Sequence, residues 1–402
     1  MAQLAPPLEQ DVRIVGVVSA AHGGSHFFQL VLPPLFPLLK ASFGVGYAEL
    51  GLLMGVLYGI SGLTQTLAGV LVDRVGAARV LTGGLLLLGA GTLLASLAPA
   101  YPVLVLAAVL MGLGNAVFHP SDYAILAHHV AHRRMARAFS AHTVGGTLGW
   151  ALAPVLVAGI AAASSWRTAL LVCSLMGFAL ALMVLFHRDL LETPANAGGG
   201  RQGAGSQLRL LASGTILLCF AFFALQAASF VTVQAFLPLA LHQLHDLPMV
   251  VATGTVTAFM LGSAGGTVAG GMLADRTGRH QRIIGAGLAL AALIFFLLGR
   301  IALPEPLLLL AVALAGALAG LTTPSRDMLV RAAAPAGAAG KVFGFVYSGL
   351  DLGSTLTPVL MGTLLDAGRP EAVFVIIPLA MAASILTATT IRGNPQRPVA
   401  AR

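Results

Sequence analysis

Gly69-Val-Leu-Val-Asp73-Arg74-Val-Gly76 and Gly271-Met-Leu-Ala-Asp275-Arg276-Thr-Gly278 spell one pattern, Gly-x-x-x-Asp-Arg-x-Gly, at an offset of about 202 residues. The repetition extends outward from these stretches. Pro120-Ser121 returns as Pro324-Ser325. Gly145-x-x-x-Gly149 followed by Pro154-Val155-Leu156 returns as Gly349-x-x-x-Gly353 followed by Pro358-Val359-Leu360. Three landmarks kept in order at nearly one offset mark a duplicated half. Membrane carriers are commonly built from such repeats, with the substrate site near the midplane where the repeats meet.

Composition names the solvent. Of 402 residues, 57% are hydrophobic and 9% charged, against roughly 25% charged in soluble proteins. Mean hydropathy is +0.91. A water-soluble chain of this kind would expose large apolar patches, whereas lipid tolerates them. The 48 Gly and 21 Pro suit packed and kinked membrane helices. The net charge of +8 does not point to nucleic acid, because the basic residues sit in short loops and form no stripe. Cys173 and Cys219 each lie in an apolar run and read as small core residues. Glu9 and Asp11 beside Arg13 give no basic leader region, so no cleaved signal peptide is expected.

A spanning helix needs about 20 mostly apolar residues. That ruler predicts spans near 13–37, 48–72, 78–99, 102–130, 137–162 and 165–187, then 211–240, 249–273, 282–302, 305–331, 340–365 and 370–391. The expected fold is an all-α membrane protein of about twelve helices in two pseudo-symmetric six-helix bundles, residues 1–187 and 211–402. Between them, 188–210 carries Gly198-Gly199-Gly200, Gly203 and Gly205 and reads as a flexible cytoplasmic linker. Loops after the even-numbered spans, with the termini, hold about 17 of the 22 Lys and Arg, among them Arg79, Arg133, Arg134, Arg279, Arg282 and Lys341. The opposite loops hold Lys40, Arg167, Arg300 and Arg369. The positive-inside rule then places both termini in the cytoplasm.

The paired Gly-x-x-x-Asp-Arg-x-Gly motifs, after the second and eighth spans, resemble the signature of the major facilitator superfamily, and the resemblance covers the whole chain. Within it, Gly112-Leu-Gly-Asn-Ala-Val-Phe118-His119-Pro120, Ser19-Ala-Ala-His22 and Phe36-Pro37-Leu38-Leu39 resemble the fosmidomycin-resistance-type efflux proteins. The chain departs from the pattern at Ser121-Asp122-Tyr123. It also has no charge between Leu106 and Met111, where drug exporters of the superfamily often carry Arg. The resemblance implies a monomeric carrier of a small molecule in a bacterial-type inner membrane, with spans 1, 4, 7 and 10 lining a central cavity.

The loop motif reads as a conformational latch formed by Gly69, Asp73, Arg74, Gly76, Gly271, Asp275, Arg276 and Gly278. Its carboxylates could accept from a neighbouring helix N-terminus or pair with Arg137. The other reading is a solvated loop carboxylate with basic neighbours serving topology alone.

Ionisable groups inside spans are costly and are functional candidates by default. They are His22 and His26 (i, i+4), His119 and Asp122 (i, i+3), His142, Arg326, Asp327 and Asp351, joined by the amides Gln226 and Gln234. Asp122 and Arg326 each follow their repeated proline by two residues, so symmetric positions carry opposite charges. They could pair with one another in one transport state, or Asp122 could pair with His119 and Arg326 with Asp327. The histidines admit proton coupling, transition-metal ligation by His22, His26, His119 and Asp122, or plain hydrogen bonding in the bundle. His128, His129 and His132 read as interfacial.

Gly112-x-Gly114 and Gly262-x-x-Gly265-Gly266 lie within spans and serve packing, not nucleotide binding. No Walker-type Gly-Lys-Ser/Thr occurs, and no nucleophile, base and orienting group form a constellation. No cofactor, resident metal or enzymatic activity is expected. The reading is a secondary transporter, proton-linked and exporting a small organic molecule. Uptake of a small organic anion held by Arg326, or passage of a transition metal through the His-rich cavity, are the alternatives.

Overall fold

The computed structural model describes residues 8–131, 134–193, 211–333 and 339–391. The chain forms two compact units, Met1–Gly199 and Gly200–Arg402. The first holds α1 (Leu8–Gln29), α2 (Phe36–Phe43), α3 (Tyr47–Val75), α4 (Ala77–Ser96), α5 (Tyr101–Asn115), α6 (Phe118–His129), α7 (Met135–Ala163), α8 (Trp166–Phe186) and a single turn, α9 (Arg188–Leu191). The second holds α10 (Gly214–Val231), α11 (Leu237–His245), α12 (Met249–Arg276), α13 (His280–Leu298), α14 (Glu305–Ala333), α15 (Ala339–Asp366) and α16 (Val373–Thr390). No strand occurs among the described residues.

Eleven segments are long and apolar enough to cross a bilayer. The 28 residues of α15 add about 42 Å of helix, more than the roughly 30 Å of a hydrocarbon core. With α15 counted by its length, the described residues hold about twelve spans. The second half repeats the packing of the first: α1 on α7 corresponds to α10 on α15, α4 on α8 to α13 on α16, and α3 on α5 to α12 on α14.

Three spans expected as continuous helices are interrupted. In the first, Pro33 and Pro34 force a 3-10 turn, Pro33–Leu35, between α1 and α2. In the fourth, the helix breaks after Asn115 and restarts at Phe118. This puts Pro120 in the first turn of α6, where a missing N–H leaves no bond unmade. Its counterpart Pro324 stays inside unbroken α14. In the seventh, Thr232–Phe236 winds as a π-helix before Pro238, which has no N–H to offer the Gln234 carbonyl four residues back.

The repeated loop is built differently in its two copies. Gly76 ends α3 with φ 97° and ψ 142°, a region closed to residues with a Cβ. Thr193 Oγ1 accepts from the Ala77 N–H at 3.0 Å and Glu192 pairs with Arg79 at 3.3 Å. His129 Nε2 lies 2.9 Å from the Glu192 carbonyl. The chain through Thr193 is thus docked on the ends of α4 and α6, so residues 188–193 of the stretch expected as linker pack against the first half. Its glycines at 198–200, 203 and 205 lie outside the described residues, as do His132 and Arg133 and the side chains of Asp275 and Lys341. Gly278 has no positive φ and open space around it.

Asp73, Arg74 and Arg137 are exposed. Among the described residues no hydrogen bond or ion pair joins Asp73 to Arg137. Gly69 and Gly271 have nothing within 4 Å of where a Cβ would stand. Arg276, at the end of α12, is exposed. Basic residues of the opposite loops have local work: Arg167 caps α4 through the carbonyls of Ser96 (2.8 Å) and Ala98 (2.9 Å), and Arg300 stacks on Phe296.

Candidate functional site

The first half concentrates its buried polar groups where α1 meets α7. Glycine permits the approach: a Cβ on Gly145 would stand 2.6 Å from the Ser19 carbonyl oxygen, and one on Gly23 would stand 2.8 Å from that of Gly145. Gly349 and Gly353 seat α15 on Phe220 and Ala224 of α10 in the same way. With the α1 and α7 backbones this close, His22 and His26 face His142, Gly146 and Trp150, each set at i, i+4 spacing. Two stacked ring pairs result. His22 lies on His142 (centroids 3.7 Å, 26°) and His26 on Trp150 (3.8 Å, 17°). Gly146 is the space between them: a Cβ there would stand 2.6 Å from His26 Nδ1 and 2.9 Å from His22 Cδ2.

Asp122 enters this pair of stacks from α6. Its Oδ2 lies 2.9 Å from His142 Nε2, a hydrogen bond in which the imidazole donates when the carboxylate is ionised. The same oxygen is 3.0 Å from His22 Nδ1, close but out of line for a hydrogen bond. Asp122 is 0% exposed, and its Oδ1 has no hydrogen-bond partner among the described residues. A buried carboxylate with one oxygen unserved is held at a cost, and such groups concentrate where protons or ligands are handled. His119, expected as its neighbour, is exposed on α6, with its ring 5.3 Å from His22 and 5.7 Å from Tyr123. The ligand-capable atoms of His22, Asp122 and His142 lie within 4.8 Å of one another. This nitrogen–oxygen set suits a transition ion as well as a proton.

An amide network supports the site, and sequence reasoning missed it. Asn115, at the break between α5 and α6, accepts from Ser25 Oγ (2.8 Å) and Gln29 Nε2 (2.9 Å) and donates to Ser61 Oγ (2.8 Å). Gln29 accepts from Trp150 Nε1 at 2.9 Å. The chain of bonds therefore ties α1, α3, α5 and α7 to the ring on which His26 stacks. The available signal was a carboxamide in the middle of an apolar run.

In the second half Arg326 Nε donates to Asp327 Oδ1 at 2.9 Å, and its guanidinium lies 4.5 Å from the centre of Phe223. Asp351 and Gln226 are half-buried; Gln234 is buried in the π-helix, with its Nε2 unpartnered among the described residues. Each member of the symmetric pair thus has partners in its own half: the two histidines for Asp122, Asp327 for Arg326.

The Major Facilitator Superfamily profile matches residues 18–298 and 250–401. The fosmidomycin resistance protein of Escherichia coli (strain K12) is 25% identical over 282 residues, 69% of each chain. A probable 4-methylmuconolactone transporter of Cupriavidus pinatubonensis is 30% identical over 269 residues, 62% of this chain and 60% of its own. The fold is that of a crystallised nucleoside transporter, at a TM-score of 0.78 and 15% identity, over 96% of this chain and 100% of the other. About twelve spans in two repeated halves, the doubled loop motif and a profile that runs from the first span past the last establish the family. The chain is a membrane transporter belonging to the Major Facilitator Superfamily.

Proposed function

We propose that the protein exports a small organic molecule in exchange for protons, with the His22–Asp122–His142 cluster as the proton-handling centre. The observation that carries this is Asp122: a carboxylate with no exposed surface, whose one bonded oxygen faces two stacked imidazoles. The three groups lie close enough for one proton to pass among them while the rest of the half stays packed. Both termini lie in the cytoplasm of a bacterial-type inner membrane, in keeping with the Lys and Arg bias. The two halves, 1–187 and 211–402, work by alternating access, and Asp73 pairing with Arg137 or a neighbouring helix N-terminus latches one state. Export is favoured by the name of the E. coli relative, a resistance protein.

The test is purified protein in proteoliposomes loaded with pooled organic solutes and a pH-sensitive dye. Proton movement that depends on solute supports the reading. Solute movement with no proton movement overturns it; if no organic solute moves, the proximity of the three ligand-capable atoms favours a transition metal as cargo.

A further inference from the structure

Asp122, His142, His22 and His26 are 0%, 2%, 3% and 9% exposed. A centre that gains and loses a proton in every cycle needs a route to water, and a carboxylate sealed behind stacked rings has none of its own. Two titratable side chains among the described residues lie against this cluster and also reach the surface. Tyr123 is 45% exposed, with its ring 5.6 Å from that of His142. His119 is exposed, with its ring 5.3 Å from that of His22 and tilted by 54°.

Elementary acid–base chemistry separates the two. A phenol ionises at about pH 10, whereas imidazole titrates near neutrality. Tyr123 is a wall: it packs edge-on against Phe139 at 5.4 Å and stacks on His119 at 5.7 Å. No hydrogen bond holds either ring nitrogen of His119 among the described residues, so the ring is free to turn. On the side of the cluster, Asp122 Oδ1 and His22 Nδ1 are without hydrogen-bond partners among the described residues. Asp122 lies one turn further along α6, at i, i+3 from His119. The ionisable groups facing His119 are thus Asp122 and Tyr123 on α6, His22 and His26 on α1, and His142 on α7.

Resting on the reading of His22, Asp122 and His142 as the proton-handling centre, we infer that His119 is the shuttle that carries protons between water and that buried centre. One ring nitrogen takes a proton from water to give the imidazolium. The other nitrogen then releases its proton to the open oxygen of ionised Asp122, directly or through one water, leaving a neutral ring and a neutral carboxyl. Turning of the ring restores the first tautomer, and the same steps in reverse return the proton. His119 sets the rate of exchange and leaves the proton affinity of the cluster to its buried members.

The indole of Trp150 reports the cluster, because His26 stacks on it at 3.8 Å and the His22 ring lies 4.3 Å from that of His26. Trp166 is the other tryptophan, and Trp166→Phe leaves one emitter. In that background, the full-length protein in nanodiscs is taken through a stopped-flow pH jump while emission is followed. His119→Ala and His119→Gln slow the relaxation by about a hundredfold, as for loss of a general acid–base, with the equilibrium midpoint unmoved. Free imidazole restores the rate of His119→Ala in proportion to its concentration and leaves the background protein unchanged. Relaxation at the background rate in both variants overturns the shuttle. So does a moved midpoint without rescue, which marks a structural role. Neither result touches the export reading. Rescue by imidazole together with no solute-dependent proton movement in proteoliposomes overturns the export reading alone. A background protein whose emission ignores pH overturns both.

Discussion

Replacing Gly146 by alanine should disable the histidine cluster by adding one methyl group. The new Cβ would stand 2.6 Å from both Cε1 and Nδ1 of His26 and 2.9 Å from Cδ2 of His22. Unstrained contacts of carbon with its neighbours begin near 3.5 Å, so the rings must retreat by close to an ångström. Neither can do so freely. His26 is backed by Trp150 at 3.8 Å, and His22 by His142 at 3.7 Å. Overpacking of this kind costs about 1–3 kcal/mol. The displaced His22 and His142 would also move off Asp122, whose contacts are 3.0 and 2.9 Å. The control is Gly159→Ala on the same helix, where nothing lies within 4 Å of the added atom and helix propensity predicts a gain of about 0.5–1 kcal/mol. Melting of the purified proteins in detergent, followed by solute-coupled proton flux, reads both effects. Gly146→Ala should melt below wild type and lose coupled flux, while Gly159→Ala should do neither. Two variants that melt and transport alike would refute the packing argument.

Other outcomes follow from the same geometry. Gly76→Ala should destabilise by about 1–3 kcal/mol because its φ and ψ exclude a Cβ, whereas Gly278→Ala should be tolerated; paired melting curves decide it, and equal losses would contradict the asymmetry of the two loops. Asn115→Ala removes three hydrogen bonds, each about 0.5–1.5 kcal/mol net. It should lower the melting temperature and loosen Trp150, seen as a shift in tryptophan emission that Asn115→Asp, which keeps the acceptor, partly restores.

Much of this was legible in the sequence, for identifiable reasons. Twelve apolar runs need no tertiary information to be counted, since each must satisfy its own backbone in lipid. The doubled loop motif fixed the symmetry and the family. His22, His26, Asp122 and His142 stood out because charge is scarce inside spans. Their mutual arrangement did not. Choosing His142 over His119 as the partner of Asp122 depends on how closely α1 and α7 approach, which Gly145, Gly149 and Gly23 decide jointly. Asn115 and Gly146 were passed over because a lone amide and a lone glycine acquire meaning only from what faces them. The helix breaks were not read, although prolines stand near them: Pro120 and Pro324 look alike in sequence and behave differently in the fold.

The central claim is that Asp122 carries the proton, and the most direct measurement separates carriage of solute from its coupling. Proteoliposomes of wild type and Asp122→Asn would be compared in two modes: solute exchange with no pH difference, and solute accumulation driven by an imposed one. Both proteins should exchange solute, and only wild type should accumulate it. Accumulation by Asp122→Asn at the wild-type level would contradict the account.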